Sequence, residues 1–431
     1  LPYFDFFVDK FVCFRLKIDC MFLLRLIILQ TILFCFAFPV HAYELTREAS
    51  IEDNISSTFS DERLMGDLGG ISDYASNELA LEAVQKNVSL FSGKIKDRFS
   101  LYLIRSGKYI EMMKKILREN DVPEEIVFLP LIESGFNPNA YSHARAAGYW
   151  QFISATAKRY GLKIDWWKDE RRDPVKSTVA AANYLKDLYG MFGSWNLAMA
   201  AYNAGEGKIM RAISKTRSDD YWSIVKTEHI KNETKNYVPK FIAASLIANS
   251  PEDFGFDDLD YHSPLKYDKI TITSPLDIEV IAECSGVSVR EIKELNPELR
   301  RWCTPPDVSE YTLRIPEGTK NTFLRNLEDL GDEERFTVDI YTVKKGDTFN
   351  TISKKTGVPV EVIYDLNDME KIIPLTAGGK IYLPPKGKIT LDQEDRALAK
   401  KASYKQKKAV SQSKKSGKPA KKVSKKKSNK N

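Results

Sequence analysis

Histidine and cysteine are scarce in this chain of 431 residues, with four of the first and five of the second. His41, His143, His229 and His262 are scattered without ligand spacing, so no metal site is indicated. Cys13, Cys20 and Cys35 fall within the first 42 residues, and only Cys284 and Cys303 lie beyond them. That pair is too small for a disulfide scaffold. In an oxidising compartment the two thiols can bridge or remain as buried thiols, and the sequence leaves both open. Acidic residues are missing from 400–431, which hold fourteen Lys and no Arg. That stretch alone carries +14, so the chain's formal +6 leaves −8 for residues 1–399. A nucleic-acid reading of the mean charge is therefore unsupported.

Long apolar runs are also missing. Leu26–Phe38 is thirteen residues, interrupted by Gln30 and Thr31, against the roughly 20 a spanning helix needs. Arg25 precedes the run and Val40-His41-Ala42 follows it as a small-residue cleavage site, the layout of a signal peptide. The first Met is Met21, so residues 1–42 read as an over-extended start plus an export signal. The rest is expected in the periplasm or cell envelope, with membrane association as an option. Residues 43–90 form an acidic leader. At the other end, 399–431 has too little apolar content to repay the entropy of folding and reads as a solvated Lys-rich tail able to meet anionic wall polymer or lipid.

What is present between the ends falls into two patterns. From 91 to 250 helical periodicity dominates, as in Tyr109, Met112, Met113, Ile116 and Leu117. Beyond 250 a shorter pattern occurs twice, seventy-one residues apart. Gly286-Val287 with Ile292 and Leu295-Asn296 recurs as Gly357-Val358 with Ile363 and Leu366-Asn367. Each copy starts and ends on a β-like run, which predicts two βααβ modules at 268–318 and 339–386. The expected fold class is α+β: a mainly α domain followed by two small mixed modules.

The most informative stretch is Asp121–Gln151. Asp121 and Glu124 are spaced as a capping box, Pro123 suits a first turn, and Pro130 is expected to kink the helix that follows. That helix should end at Glu133-Ser134-Gly135. A carboxylate at a helix C-terminus, flanked by Ile132 and Phe136, is disfavoured by the dipole and by poor hydration, and both raise its pKa. A protonated Glu at neutral pH is suited to giving a proton to a leaving glycosidic oxygen.

Three further blocks follow in order: Gly148-Tyr149-Trp150-Gln151-Phe152, Ala201-Tyr202-Asn203-Ala204-Gly205, and Glu233-Thr234-Lys235-Asn236-Tyr237. With Glu133-Ser134 they resemble the four blocks of the family 1 lytic transglycosylases, which have a goose-type lysozyme-like fold. The likeness is greatest to the branch whose catalytic domain is followed by LysM modules. Tyr149 and Ala146 depart from that pattern, where Leu or Met and Gly are usual.

The resemblance implies a cofactor-free, monomeric enzyme acting on peptidoglycan glycan strands, with Glu133 as the single catalytic acid and base. Ser134, Ser142, Trp150, Gln151, Tyr202, Asn203 and Tyr237 would bind or frame the substrate. The second repeat resembles a LysM module, which implies glycan contacts at Gly346, Asp347, Thr348, Phe349, Ile373 and Pro374. The first copy has Pro275-Leu276-Asp277 at the matching place and reads as degenerate, and a Cys284–Cys303 bridge would pin its longer connection. Two alternatives stand beside this reading. One is a lysozyme-like muramidase using Asp169, Glu170 or Asp173 as second carboxylate, and the other is a non-catalytic wall-binding scaffold.

Overall fold

A computed structural model describes residues 77–369 and 374–388. The signal segment, most of the acidic leader, Ile373 and the Lys tail lie outside the described residues. The elements, in chain order, begin with α1 (Glu78–Ser89), α2 (Lys96–Ser106), α3 (Ile110–Glu119) and α4 (Leu129–Glu133). Next come α5 (Ser154–Arg159), α6 (Pro174–Phe192), α7 (Trp195–Ala204), α8 (Glu206–Thr216), α9 (Tyr221–Val225), α10 (Asn232–Lys235) and α11 (Tyr237–Asn249). The first βααβ module is β1 (Tyr267–Ile272), α12 (Ile278–Ser285), α13 (Val289–Leu295) and β2 (Tyr311–Pro316). After α14 (Lys320–Glu328) and α15 (Asp332–Arg335), the second module is β3 (Asp339–Thr342), α16 (Phe349–Thr356), α17 (Val360–Leu366) and β4 (Lys380–Leu383). The chain is therefore mainly helical, with two antiparallel strand pairs late in the sequence, as expected.

These elements form two compact units. Among the described residues, one holds 77–101 together with Leu188–Asp260; the other holds Tyr102–Asp187 together with those from Tyr261 on. The stretch 91–250, one domain by periodicity, thus contributes to both.

In the first unit the central element is α11, buried on nearly all sides from Tyr237 to Ile247, the signature of a core helix rather than an amphipathic one. It packs against α1, where Asn87 and Asn236 exchange side-chain hydrogen bonds of 2.8 and 3.2 Å. Phe91 and Phe99 stack at 4.4 Å, with Phe256 tilted against Phe99.

In the second unit the repeat is realised in detail. β1 pairs with β2 in the register Tyr267↔Pro316 and β3 with β4 in the register Asp339↔Leu383. Gly286 and Gly357 both end the first helix of their module in the left-handed region, at φ 68° and 76°, where a Cβ would be strained. Asn296 and Asn367 do identical work. Each accepts a backbone N–H of the closing strand on Oδ1 and donates Nδ2 to the same residue's carbonyl, Arg314 in one copy and Tyr382 in the other. The Leu-Asn pair that marked the repeat is thus the clamp that closes the sheet.

The two copies differ at the loop before their first helix. In the second, Gly346 and Thr348 are exposed. In the first, Leu276 is buried and exchanges hydrogen bonds with Thr304, Asp277 bridges to Cys303, and the Ile278 N–H reaches Trp302. Residues of the first copy's longer connection therefore cover the place that stays open in the second.

The segment Tyr102–Asp187 belongs with the modules because it is hydrogen-bonded into the first of them. Lys168 bridges to Leu299, the Asp169 N–H reaches the Glu298 carbonyl, and the Arg300 N–H reaches the Trp167 carbonyl at 2.9 Å. Trp167 and Trp302 enter the core of the second module, and the Trp167 indole donates to Asp365 at 2.7 Å. The bridge between Cys284 and Cys303 is not formed. Both thiols are free and buried, Cys284 in the core of the first module and Cys303 in that of the second.

Candidate active site

The approach to Glu133 differs from the expected kinked helix. Asp121 caps nothing: it turns into the left-handed region at φ 56° and its carboxylate pairs with Lys186 at 2.8 Å. Glu124 pairs with Arg118 instead, and Pro123 precedes a 3-10 turn over Glu124–Phe128. At Leu129 the chain widens into α4, with Pro130 in its first turn. A proline there sacrifices no helix hydrogen bond, so the break falls between two short helices and not within one.

Glu133 is the last residue of α4 and is half-buried. The turn behind it is fixed from three sides. The Ser134 N–H donates to the Pro130 carbonyl at 3.0 Å, and its hydroxyl donates to the Tyr149 carbonyl at 2.8 Å. Gly135 has φ 59°, and a Cβ there would fall 2.1 Å from the Tyr102 ring, so only glycine fits. Phe136, also left-handed, is buried parallel to Tyr109 with ring centroids 6.3 Å apart.

The loop that receives this turn is built by backbone bonds. Ser142 and Ala146 close it, with Ser142 N–H to the Ala146 carbonyl at 2.9 Å and Ala146 N–H to Ser142 Oγ at 3.0 Å. Ser142 is thus engaged in the loop itself. Gln151 sits at φ 49° and donates Nε2 to the Gly148 carbonyl at 2.8 Å and to that of Ala140 at 3.3 Å. Underneath lies Arg171, wholly buried, which grips Asp169 through Nε and Nη2 and donates Nη1 to the carbonyls of Arg145 and Phe152. One buried guanidinium therefore pins both ends of the loop, an arrangement that the Asp-Glu-Arg-Arg-Asp run did not disclose.

Trp150 requires correction. It is fully buried and its indole N–H donates to Thr178 Oγ1 at 3.0 Å, so it supports the loop from behind and does not face a sugar. Tyr149 is buried edge-on to Tyr109 at 4.8 Å, and burial pushes its phenol well above the usual range.

The three carboxylates weighed as a second acid are all committed internally. Asp169 serves Arg171, and Glu170 takes Lys176 at 2.6 Å and the Lys163 N–H at 2.7 Å. Asp173 caps α6 through the N–H groups of Val175 and Lys176 and pairs with Arg314. All three are buried.

The remaining site residues lie in the other unit and are brought together there. Tyr202 and Asn203 occupy the last turn of α7, Tyr237 opens α11, and α7 packs on α10 and α11. Asn203 Oδ1 accepts from Thr234 Oγ1 at 3.0 Å, and the Thr234 carbonyl accepts from the Tyr221 hydroxyl. Tyr237 is buried, at 5% exposure.

In the second module Asp347 and Phe349 build the loop and do not line it. Asp347 accepts from Lys355 Nζ, the Lys344 N–H and the Tyr341 hydroxyl, which in that order hold its carboxyl down at about 2. Phe349 is buried edge-on to Tyr364. Gly346 (φ 86°), Thr348, which caps α16, and Pro374 are exposed. Among the described residues, no group of His, Cys, Asp and Glu is placed to hold a metal ion.

Comparison with known families accounts for this order of parts. Residues 111–225 match the model described as "Transglycosylase SLT domain". Residues 266–332 match "Lytic transglycosylase MltD, LysM-like domain" and 341–384 match "LysM domain". Among curated proteins, the chain is 31% identical over 281 residues to the membrane-bound lytic murein transglycosylase D of Escherichia coli K12, covering 62% of this chain and 61% of that protein. It is 27% identical over 161 residues to the membrane-bound lytic murein transglycosylase C of Sodalis glossinidius, covering 32% of this chain and 45% of that one. Among solved structures, the 70 kDa soluble lytic transglycosylase of Escherichia coli aligns with a TM-score of 0.31 at 20% identity, covering 42% of this chain and 31% of the other.

Proposed function

We propose that this chain is a peptidoglycan lytic transglycosylase with Glu133 as its single acid and base. The observation that carries the reading is that the three acids nearest in sequence that could serve as a second carboxylate are committed to buried ion pairs. Glu133 stands at a helix end held in place from three sides, while Asp169, Glu170 and Asp173 are tied into buried ion pairs. A hydrolase needs a second carboxylate to activate water or to attack the sugar. Chemistry with one group is served by a nucleophile within the substrate. Protonated Glu133 gives its proton to the oxygen of the bond between N-acetylmuramic acid and N-acetylglucosamine, and the C1–O bond breaks. The carboxylate then takes the proton of the muramyl 6-hydroxyl as that oxygen bonds to C1. A 1,6-anhydro end forms, the acid is regenerated, and no water is consumed.

The other parts fit a wall-processing enzyme. The open loop of the second module, with Gly346, Thr348 and Pro374, would hold glycan chains. The first module would serve as a structural partner of the catalytic segment. Among the described residues no helix is long and apolar enough to cross a membrane. Export to the envelope rests on the N-terminal sequence, and contact of the Lys tail with anionic wall polymer or lipid rests on its charge. Digestion of purified wall tests the reading: 1,6-anhydromuropeptides are expected, and reducing muramyl ends would establish a muramidase. Glu133→Gln should abolish turnover and keep wall binding; activity at the wild-type level would place the acid elsewhere.

A further inference from the structure

We propose that a cavity between residues 163–176 and the sheet of the first module binds the phosphate group of a small phosphate monoester. The cavity measures about 320 Å³, near the lower end of small-ligand sites. Lys168 decides its chemistry. The Lys168 side chain is 5% exposed, yet its ammonium meets no hydrogen-bond acceptor among the described residues. The nearest carboxylate oxygen, Asp165 Oδ2, is 3.8 Å away, and Asp165 Oδ1 already accepts the N–H groups of Trp167 and Lys168. An ammonium carries three donors, and burying them unsatisfied is costly. Because Lys168 lines the cavity, an oxygen-rich ligand there would complete it.

The other charges of the wall divide into those already answered and those left over. Arg314 serves Asp173 and Glu298, and Lys176 serves Glu170 at 2.6 Å. Lys163, Lys168 and Lys269 remain, with Glu310 as the one unpaired acid among the lining residues. Lys163 and Lys269 are exposed and make no ion pair among the described residues; Lys269 stands 5.9 Å from the centre of the Tyr267 ring. A buried cation with exposed ones beside it concentrates anions and admits them from solvent.

Three ammonium groups suit phosphate better than carboxylate. A carboxylate is held best by the planar fork of a guanidinium, and the guanidinium in this wall, Arg314, is engaged by Asp173 and Glu298. Ammonium groups act as point charges, and the three terminal oxygens of a phosphate monoester can each meet one. Val175, Val308 and the buried Tyr311 add an apolar wall for a small organic body. Lipid headgroups carry the same phosphate, but a bilayer plane does not reach an ammonium on a side chain 5% exposed. Occupancy would tie down the turn at 163–170, which the Glu170 N–H closes onto the Lys163 carbonyl at 3.0 Å. That turn carries Asp169, the partner of Arg171, so the site would act on the support of the loop bearing Gln151 and touch no reacting atom.

Calorimetric titration of the full chain with glycerol phosphate and with inorganic phosphate, at constant ionic strength and with acetate as control, tests the site. Both phosphates should saturate one site, and acetate should bind much more weakly. Lys168→Met, which keeps the buried volume and removes the charge, should weaken phosphate binding at least roughly tenfold, the scale of one charge-assisted hydrogen bond. Should that variant fail to fold, Lys269→Gln, at an exposed position of β1, should weaken binding several-fold. Raised salt should weaken it as well. No saturable binding of either phosphate, binding undiminished in both variants, or acetate bound as tightly as phosphate would overturn the assignment. Binding of the chain to phosphatidylglycerol vesicles, with neither free phosphate bound, would overturn it in favour of a membrane contact. The lytic activity is read separately from the ends released from wall, and none of these outcomes alters it.

Discussion

At the scale of single residues, Glu133 depends on neighbours that touch no substrate. Ser134 ties the end of α4 to the Tyr149 carbonyl, so Ser134→Ala should lower kcat more than it raises KM. It should cost about 1 kcal/mol of stability, the usual worth of one such bond, readable by paired kinetics and urea melts. Gly148 is less forgiving. At φ 80° its Cβ would lie 1.8 Å from the Arg171 carbonyl oxygen, so neither the torsion nor the space admits a side chain. Gly148→Ala should destabilise by more than about 3 kcal/mol, and a stable, active variant would mean that the loop is arranged differently. The candidate residues Glu133, Gln151, Asn203 and Tyr237 could be picked out of the sequence because they stand in blocks whose order is informative. The role of Trp150 could not, since a tryptophan beside a polar loop looks the same whether its ring faces sugar or Thr178. Asp121 misled for a similar reason: its spacing to Glu124 fits a capping box, but Lys186, distant in sequence, takes its carboxylate.

Among the elements, the contact between the Tyr102–Asp187 segment and the first module turns on one cation serving two acids. Arg314 on β2 pairs with Asp173 at the start of α6 and with Glu298 after α13, and Glu298 also accepts from the Tyr311 hydroxyl. Burial, then the charge of Asp173, raises the Glu298 carboxyl from 4.5 to about 7, with Arg314 opposing. Between those values the unfolded chain has released this proton and the folded chain retains it. Stability should therefore fall as pH rises from about 4.5 to about 7 and level off above. Glu298→Gln should flatten that limb of the melting-temperature profile, removing a dependence of about 1–3 kcal/mol. An unchanged profile would show that the group titrates elsewhere. The sequence disclosed the two βααβ modules because their Gly and Leu-Asn positions recur in register, and it disclosed neither this ion triad nor the free thiols. Charges at 173, 298 and 314 look like separate surface residues until the chain folds, and two cysteines in one repeat look paired until their cores prove to be different.

For the whole molecule, the modules have unequal roles. Removing residues 266–332 would leave Asp173 without Arg314 and open the network around Trp167, so that deletion should abolish soluble expression of active enzyme. In the second module, Thr348→Asp, which can still cap α16, combined with Pro374→Glu at another exposed position should instead leave turnover of short soluble strands measurable while weakening binding to insoluble wall, and a pull-down on purified wall distinguishes the two. Equal wall binding by the wild type and this variant would remove the glycan role assigned to Gly346, Thr348 and Pro374. The central claim is that one carboxylate, with the substrate's own hydroxyl, suffices for cleavage. Digestion of purified wall in water enriched in heavy oxygen, followed by mass spectrometry of the new muramyl ends, tests it most directly. Ends formed by Glu133 with the 6-hydroxyl should be anhydro and carry no heavy oxygen; reducing ends that incorporate it would contradict the account.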